Sequence, residues 1–177
     1  EATKVVLRNQ KLYVNKEEGF IGTSLRKDEY IGDCSDIDDV IVFLRDGSML
    51  VSKVEEKKFV GKDIIHAAIF NKNDKRTIYN MIYRDGKAGS SYVKRFNVSG
   101  VTRDKVYHLT QEKPGSQVVY FSHNPNGEAE VVTILKDFDD LIQDDLQIDE
   151  NIPTLHILSN VLDLADDYYN LNDFIKL

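Results

Sequence analysis

The stretch Val40-Ile-Val-Phe-Leu-Arg-Asp-Gly-Ser-Met-Leu-Val-Ser-Lys-Val54 sets the fold class. Two runs rich in β-branched and apolar residues flank Asp46-Gly47. Asp-Gly between such runs is the strongest short-range signal for a β-hairpin, because the turn needs residues that accept a positive φ. Working outward, the same grammar returns. Thr77–Tyr83 leads through Arg84-Asp85-Gly86 into Ser91–Val98. Gln117–Ser122 leads through Asn124-Pro-Asn-Gly127 into Glu128–Leu135, and Lys11–Val14 leads through Asn15–Gly19 into Phe20–Leu25. The turn glycines Gly19, Gly47, Gly86 and Gly127 are separated by 28, 39 and 41 residues.

A strand-built repeat near 40 residues is the mark of a propeller-like array. One hairpin alone is marginal in water, and stacking copies buries the apolar faces. The segments Phe59–Ile65 and Gly100–Tyr107 mix single apolar anchors with charge, as loops crossing between blades do. The character changes at Lys136. Leu155, Leu158, Leu162 and Ala165 fall at helical spacing after Pro153-Thr154, which predicts one helix over about 155–169. The expected organisation is therefore a body over residues 1–136 and an acidic, partly helical extension over 137–177.

Charge follows the same division. Residues 1–136 carry 22 Lys and Arg against 19 Asp and Glu, while residues 137–177 carry Lys176 alone against 11 acids. A basic body beside an acidic segment points to a polyanionic partner, or to a segment that competes with one. Hydrophobic residues make up 41% of the chain, enough for an ordinary core, and no run of 18 apolar residues predicts a membrane span. The chain opens at Glu1 with no signal-peptide pattern, as expected of a piece of a longer protein. Cys34 is the only cysteine, which excludes an internal disulfide and fits a reducing cytoplasm.

Signals of catalysis are sparse. His66, His108, His123 and His156 share no metal-ligand spacing. Asp36-Ile-Asp-Asp39 opens like a calcium loop but lacks the later Gly and Glu, so it reads as an acidic turn. No phosphate-binding glycine loop or nucleophile elbow is present, and Ser24 and Ser35 have no candidate base nearby. No cofactor and no metal are expected, and an enzyme is the weakest reading.

Several collinear segments carry a family resemblance. They are Lys11–Leu25, Cys34–Phe43, Lys58–His66, Asp74–Asn80, Tyr83–Lys87, Tyr92–Phe96, Arg103–Lys105, Leu109–Gln111, Lys113–Ser116 and Asn124–Glu130. Over roughly residues 4–136 the chain resembles the C-terminal domain of the A subunit of bacterial topoisomerase IV or DNA gyrase, in the form found in the Bacteroides and Flavobacterium group. The resemblance implies an all-β β-pinwheel, a disc of four-stranded blades that binds and bends duplex DNA on a basic rim. It implies a parent that is an ATP-dependent type II topoisomerase, whose other parts, the remainder of the A subunit and the ATPase B subunit, are the partners. It implies a cytoplasmic, nucleoid-associated protein. Two departures stand out. The basic glycine-rich box of the gyrase form is absent, which favours topoisomerase IV-like behaviour or a fragment that omits the box, and 136 residues supply only part of a full disc.

Duplex binding of this kind needs Lys and Arg that meet phosphates and read no base. The candidates on or beside the hairpins are Arg45, Lys53, Lys57, Lys58, Lys62, Arg76, Arg84, Lys87, Lys94, Arg95, Arg103 and Lys105. For each the plainer reading is a solvated edge charge that blocks strand-to-strand aggregation. Phe43, Tyr83, Tyr92 and Phe96 sit in alternating runs and are expected in the core rather than as stacking platforms. The competing function is a propeller-type protein-interaction scaffold that does not touch DNA.

Overall fold

The computed structural model describes residues 9–130, 132–134, 155–157 and 175–176. Among them there is strand and no helix. Fourteen strands follow in chain order: β1 Gln10–Asn15, β2 Phe20–Gly22, β3 Glu29–Cys34, β4 Asp39–Leu44, β5 Ser48–Lys53, β6 Lys58–Phe59, β7 Ile64–Phe70, β8 Ile78–Arg84, β9 Ser91–Phe96, β10 Val106–His108, β11 Gln117–Asn124, β12 Val132–Ile134, β13 Leu155–Ile157 and β14 Ile175–Lys176. They form three four-stranded antiparallel sheets, in the orders β3-β1-β2-β6, β10-β5-β4-β7 and β11-β8-β9-β14, and a two-stranded pair β12-β13.

At the centre of each of the three large sheets is one of the expected hairpins. In the second, Asp46 closes the turn by accepting from the Ser48 amide at 2.8 Å and the Ser48 hydroxyl at 2.6 Å, the local bonding that makes Asp a turn former. Val40 then pairs with Ser52 and Phe43 with Met49. Burial explains the apolar runs. The first sheet buries alternate residues, Leu12, Val14 and Ile21, whereas β4 and β5 are buried almost throughout because the second sheet is covered on both faces. One face of it, Val40, Val42, Leu44 and Leu50, meets Leu12, Val14, Ile21 and Cys34 of the first sheet. The other, Ile41, Phe43, Met49 and Val51, meets Tyr79, Met81, Tyr83 and Phe96 of the third. Each such side chain contributes roughly 1.5–3 kcal/mol relative to exposure.

The connections are where the structure departs from the sequence reading. After the second hairpin the chain does not simply cross to the next unit. It returns to the first sheet, where β6 pairs with β2 (Phe59 opposite Phe20), and only then supplies β7 to its own sheet. After the third hairpin β10 returns to the second sheet (Tyr107 opposite Met49) before β11 joins β8. The expected loops 59–65 and 100–107 therefore each overlap a strand of the preceding sheet. Equivalent bonds fix both returns: the Val60 amide donates to the Gly19 carbonyl at 2.9 Å, and the Leu109 amide to the Gly47 carbonyl at 2.8 Å. Between β2 and β3 only residues 23–28 intervene and no strand returns, which accounts for the shorter spacing from Gly19 to Gly47.

The expected fourth hairpin is corrected. Gly127 does not join two paired strands. β11 pairs with β8, β12 pairs with β13, and the segment containing Gly127 leads from one unit to the next. A turn signal specifies a local reversal and leaves open which strands pair. In the expected helix, residues 155–157 form strand β13 opposite Ile134, Thr133 and Val132. The rest of that helix lies outside the described residues. β3 lies against β7, and His66 of β7 against His123 of β11, so these strands share one flank. β6, β10 and β14 are the opposite edges of their sheets.

Candidate nucleic-acid interface

The returning strands bring several of the sequence-selected cations together. Lys58, on edge strand β6, is fixed by ion pairs to Glu55 at 2.8 Å and to Asp104 at 2.9 Å. Asp104 belongs to the segment that leads into β10, so this bridge joins the edges of the first and second sheets into one border. Partial burial acts to lower the Lys58 ammonium pKa, but its hydrogen bonds to Glu55 and Asp104 outweigh that and raise it. The Lys58 hydrogen bond, in turn, holds the Asp104 carboxyl below its usual range. Beside them, Arg103 is held by Asp39 at 2.8 Å.

Lys53, Lys57 and Lys105 complete the border, and all three are exposed. The Lys57 ammonium lies 4.4 Å from the centre of the Phe20 ring, and that of Lys105 5.1 Å from the centre of the Tyr107 ring. Both ring contacts are weak enough at an exposed site, about 0.5–1 kcal/mol, to be exchanged for a phosphate. Glu55 and Glu56 lie on the same border, and Glu55 is engaged by Lys58.

Elsewhere the candidates scatter. Arg45, Lys62 and Lys87 are exposed in the turns and connections. Arg76 is 79% exposed, 3.9 Å from Asp74, on the link before β8. Arg84 ends β8 half-buried, and its Nε is buried without a hydrogen-bond partner among the described residues.

Two candidates are held by hydrogen bonds within the fold, on opposite faces of β9. Lys94 is 4% exposed, its ammonium donates to the Leu109 carbonyl at 3.0 Å, and it packs between the second and third sheets. Arg95 donates to the Asn80 side-chain carbonyl at 3.2 Å and to the Gly127 carbonyl at 3.0 Å. Asn80 in turn donates to Glu130 at 2.8 Å, so Arg95 ties down the link after β11. Lys94 is corrected from a phosphate contact to a core residue. The alternation of Tyr92, Lys94 and Phe96 on one strand face carried that information in the sequence.

Sequence spacing gave no hint of the histidine pair. His66 and His123 meet at 4.8 Å between ring centres with their planes tilted by 34°, and Tyr79 stacks on His123 at 5.5 Å. Burial, then the neighbouring His123 and Lys16, lowers the His66 pKa from 6.5 to about 4. Burial lowers that of His123 as well, against a smaller opposing pull from Asp74. Among the described residues no group of three or more His, Cys, Asp or Glu side chains could hold a metal ion. No helix among them is long and apolar enough to cross a membrane.

The described residues thus form a series of interlocked antiparallel sheets, three of them four-stranded. The chain belongs to the topoisomerase C-terminal domain family of Bacteroidota, whose model matches residues 11–154. It is 37% identical over 123 residues to the A subunit of DNA topoisomerase 4 from Borreliella burgdorferi (strain ATCC 35210 / DSM 4680 / CIP 102532 / B31), an alignment covering 69% of this chain and 19% of that protein. The chain thus spans about a fifth of the length of that relative. No solved structure matches the chain significantly.

Proposed function

We propose that this chain binds and bends duplex DNA as the C-terminal domain of the A subunit of a type II topoisomerase, presenting the duplex to a strand-passage core and doing no chemistry itself. The intact arrangement is a β-pinwheel, and its partners are the rest of the A subunit and the ATPase B subunit, at the nucleoid in the cytoplasm. The observation that carries the reading is the border on which Lys53, Lys57 and Lys105 stand exposed beside Lys58 and Arg103. Two adjacent sheet edges supply it, so the cations lie along a line rather than around a pocket. A line of cations suits a duplex, which presents phosphates at regular intervals and rewards backbone contact without base readout. Bending then follows sequence-dependent deformability.

The test is a salt titration of duplex affinity with two unrelated sequences. Log affinity is expected to fall linearly with log salt, equally for both. Replacing Lys53, Lys57 and Lys105 together by Gln is expected to flatten the slope by about 3, at close to 0.9 for each phosphate no longer neutralised. An unchanged slope removes this border from the DNA path. A flat response in the parent protein favours the protein-interaction scaffold instead.

A further inference from the structure

We propose that Phe59 is a wedge for bent DNA: its ring enters one base step of a duplex held on the lysine border, opens that step, and so localises the bend there. The proposal rests on the DNA-binding reading above and names the residue that converts binding into bending. Three observations carry it.

The first is exposure in an unusual place. A large apolar side chain exposed singly is ordinary on a protein surface and needs no explanation, and Ile37, 51% exposed in the turn before β4, is of that kind. Phe59 is 55% exposed on edge strand β6, directly after Lys57 and Lys58 of the border. Charge is the usual guard of a sheet edge, so a bare ring among those lysines departs from the pattern.

The second is a rigid mount. Before the ring, Lys58 is held by Glu55 and Asp104. After it, Val60 is 7% exposed and its amide donates to the Gly19 carbonyl at 2.9 Å. Upstream, the Thr23 and Ser24 amides donate to the Glu55 and Glu56 carbonyls at 3.1 and 2.9 Å. The side chain itself is braced by the ring of Phe20 across the strand pair, in an edge-to-face contact at 5.3 Å between centres. A wedge has to hold its place while base pairs part, and a ring whose backbone and rotamer are already fixed loses little further entropy in doing so.

The third is position relative to charge. Lys58 is paired with Ile21, on the face of the first sheet that meets the second. Strand alternation puts Phe59 on the other face. The ring therefore stands at the first-sheet end of the border, with Lys57 beside it and Lys53 and Lys105 on the second sheet. A kink at that end redirects the duplex while its phosphates keep their contacts with the lysines. Apolar wedges, phenylalanine among them, part base pairs from the minor groove and kink the duplex in this way. A ring with no polar atom reads no base, which suits binding without sequence preference.

The test uses the full chain and two duplexes, one fully paired and one with a single central mismatch, each with 2-aminopurine beside the central step. A mismatched step is already partly unstacked, so the unsubstituted protein is expected to bind that duplex at least about tenfold more tightly, and to brighten the 2-aminopurine of the paired duplex as its neighbour unstacks. Phe59→Ala is expected to shrink the preference to about twofold or less and to abolish the brightening, with the salt slope for the paired duplex unchanged because no phosphate contact is lost. Phe59→Leu keeps an apolar wedge and should keep both signals. Ile37→Ala should match the unsubstituted protein. No preference and no brightening in the unsubstituted protein, or both retained in Phe59→Ala, overturns the wedge, and a normal salt slope in that case leaves the lysine border on the DNA path. An equal loss in Ile37→Ala overturns it too, since the effect would then belong to surface apolarity at large. A duplex affinity that does not depend on salt removes the DNA reading itself, and the wedge with it.

Discussion

Replacing Gly19 by Ala probes the interlock between units, and Gly86→Ala is its control. Both glycines have a left-handed φ, +80° and +83°. Both substitutions therefore carry a similar local cost, about 1–2 kcal/mol for an L-residue there, offset by about 0.4–1 kcal/mol from the stiffer unfolded chain. They differ in what the new methyl group meets. At Gly86 the nearest atom is the Lys113 Cβ at 3.6 Å, an ordinary contact. At Gly19 the methyl would overlap the Gly61 carbonyl, which is backbone and cannot rotate aside. Relief requires the start of the β6–β7 connection to move off. That sacrifices the 2.9 Å bond from the Val60 amide to the Gly19 carbonyl and exposes Val60, now 7% accessible. A lost hydrogen bond of about 1 kcal/mol and a lost apolar side chain of about 1.5–3 kcal/mol add to the common cost. Urea unfolding should then show Gly86→Ala destabilised by about 1 kcal/mol and Gly19→Ala by about 3–5 kcal/mol. Equal losses would mean that the returning strand is not held by this contact, and the argument for the interlock would fail with it.

Acidification should loosen the seam between the second and third sheets. His66 has its pKa lowered to about 4 from 6.5, so the folded state resists a proton that the unfolded chain accepts. The stabilisation is complete above about pH 6.5 and declines as pH falls toward 4, a loss of about 3 kcal/mol. His66→Phe should flatten that part of the stability profile, and an imidazole titrating near 6.5 by NMR would contradict the burial argument. Lys94→Met should fold with nearly unchanged DNA salt slope, whereas Lys94→Glu should lose more than about 3 kcal/mol of stability through an unpaired buried charge. A slope reduced in Lys94→Met would return Lys94 to the DNA path.

The hairpins were legible because their signals are local. Asp46-Gly47 and Asp85-Gly86 sit between runs whose composition already favours strand, and the register follows from the turn. The returning strands were not, because β6 and β10 are two and three residues long and their partners lie elsewhere in the chain. Nothing at Lys58–Phe59 distinguishes a strand from a charged loop until Phe20 is placed beside it. Gly127 shows the converse, a sound turn signal with the wrong strands attached. Charge was only half legible. Lys57 and Lys105 stand exposed beside β6 and β10, but the same residue type at Lys94 is buried, and only its position between Tyr92 and Phe96 on one strand face tells them apart. The meeting of His66 with His123 depends on how two sheets stack, which spacing along the chain does not encode.

The return of each unit to its predecessor also sets a timetable. A chain emerging from the ribosome delivers β1, β2 and β3 early, yet the first sheet stays one strand short until Lys58–Phe59 has been made, and by then the second hairpin is already out. The second sheet waits in the same way for Val106–His108. No unit can finish alone, so maturation advances as a wave one unit behind synthesis, and a ribosome that stalls anywhere leaves one open edge at its front. Cutting the array between units would sever a sheet rather than a linker, which makes it a single cooperative object despite its repetitive plan.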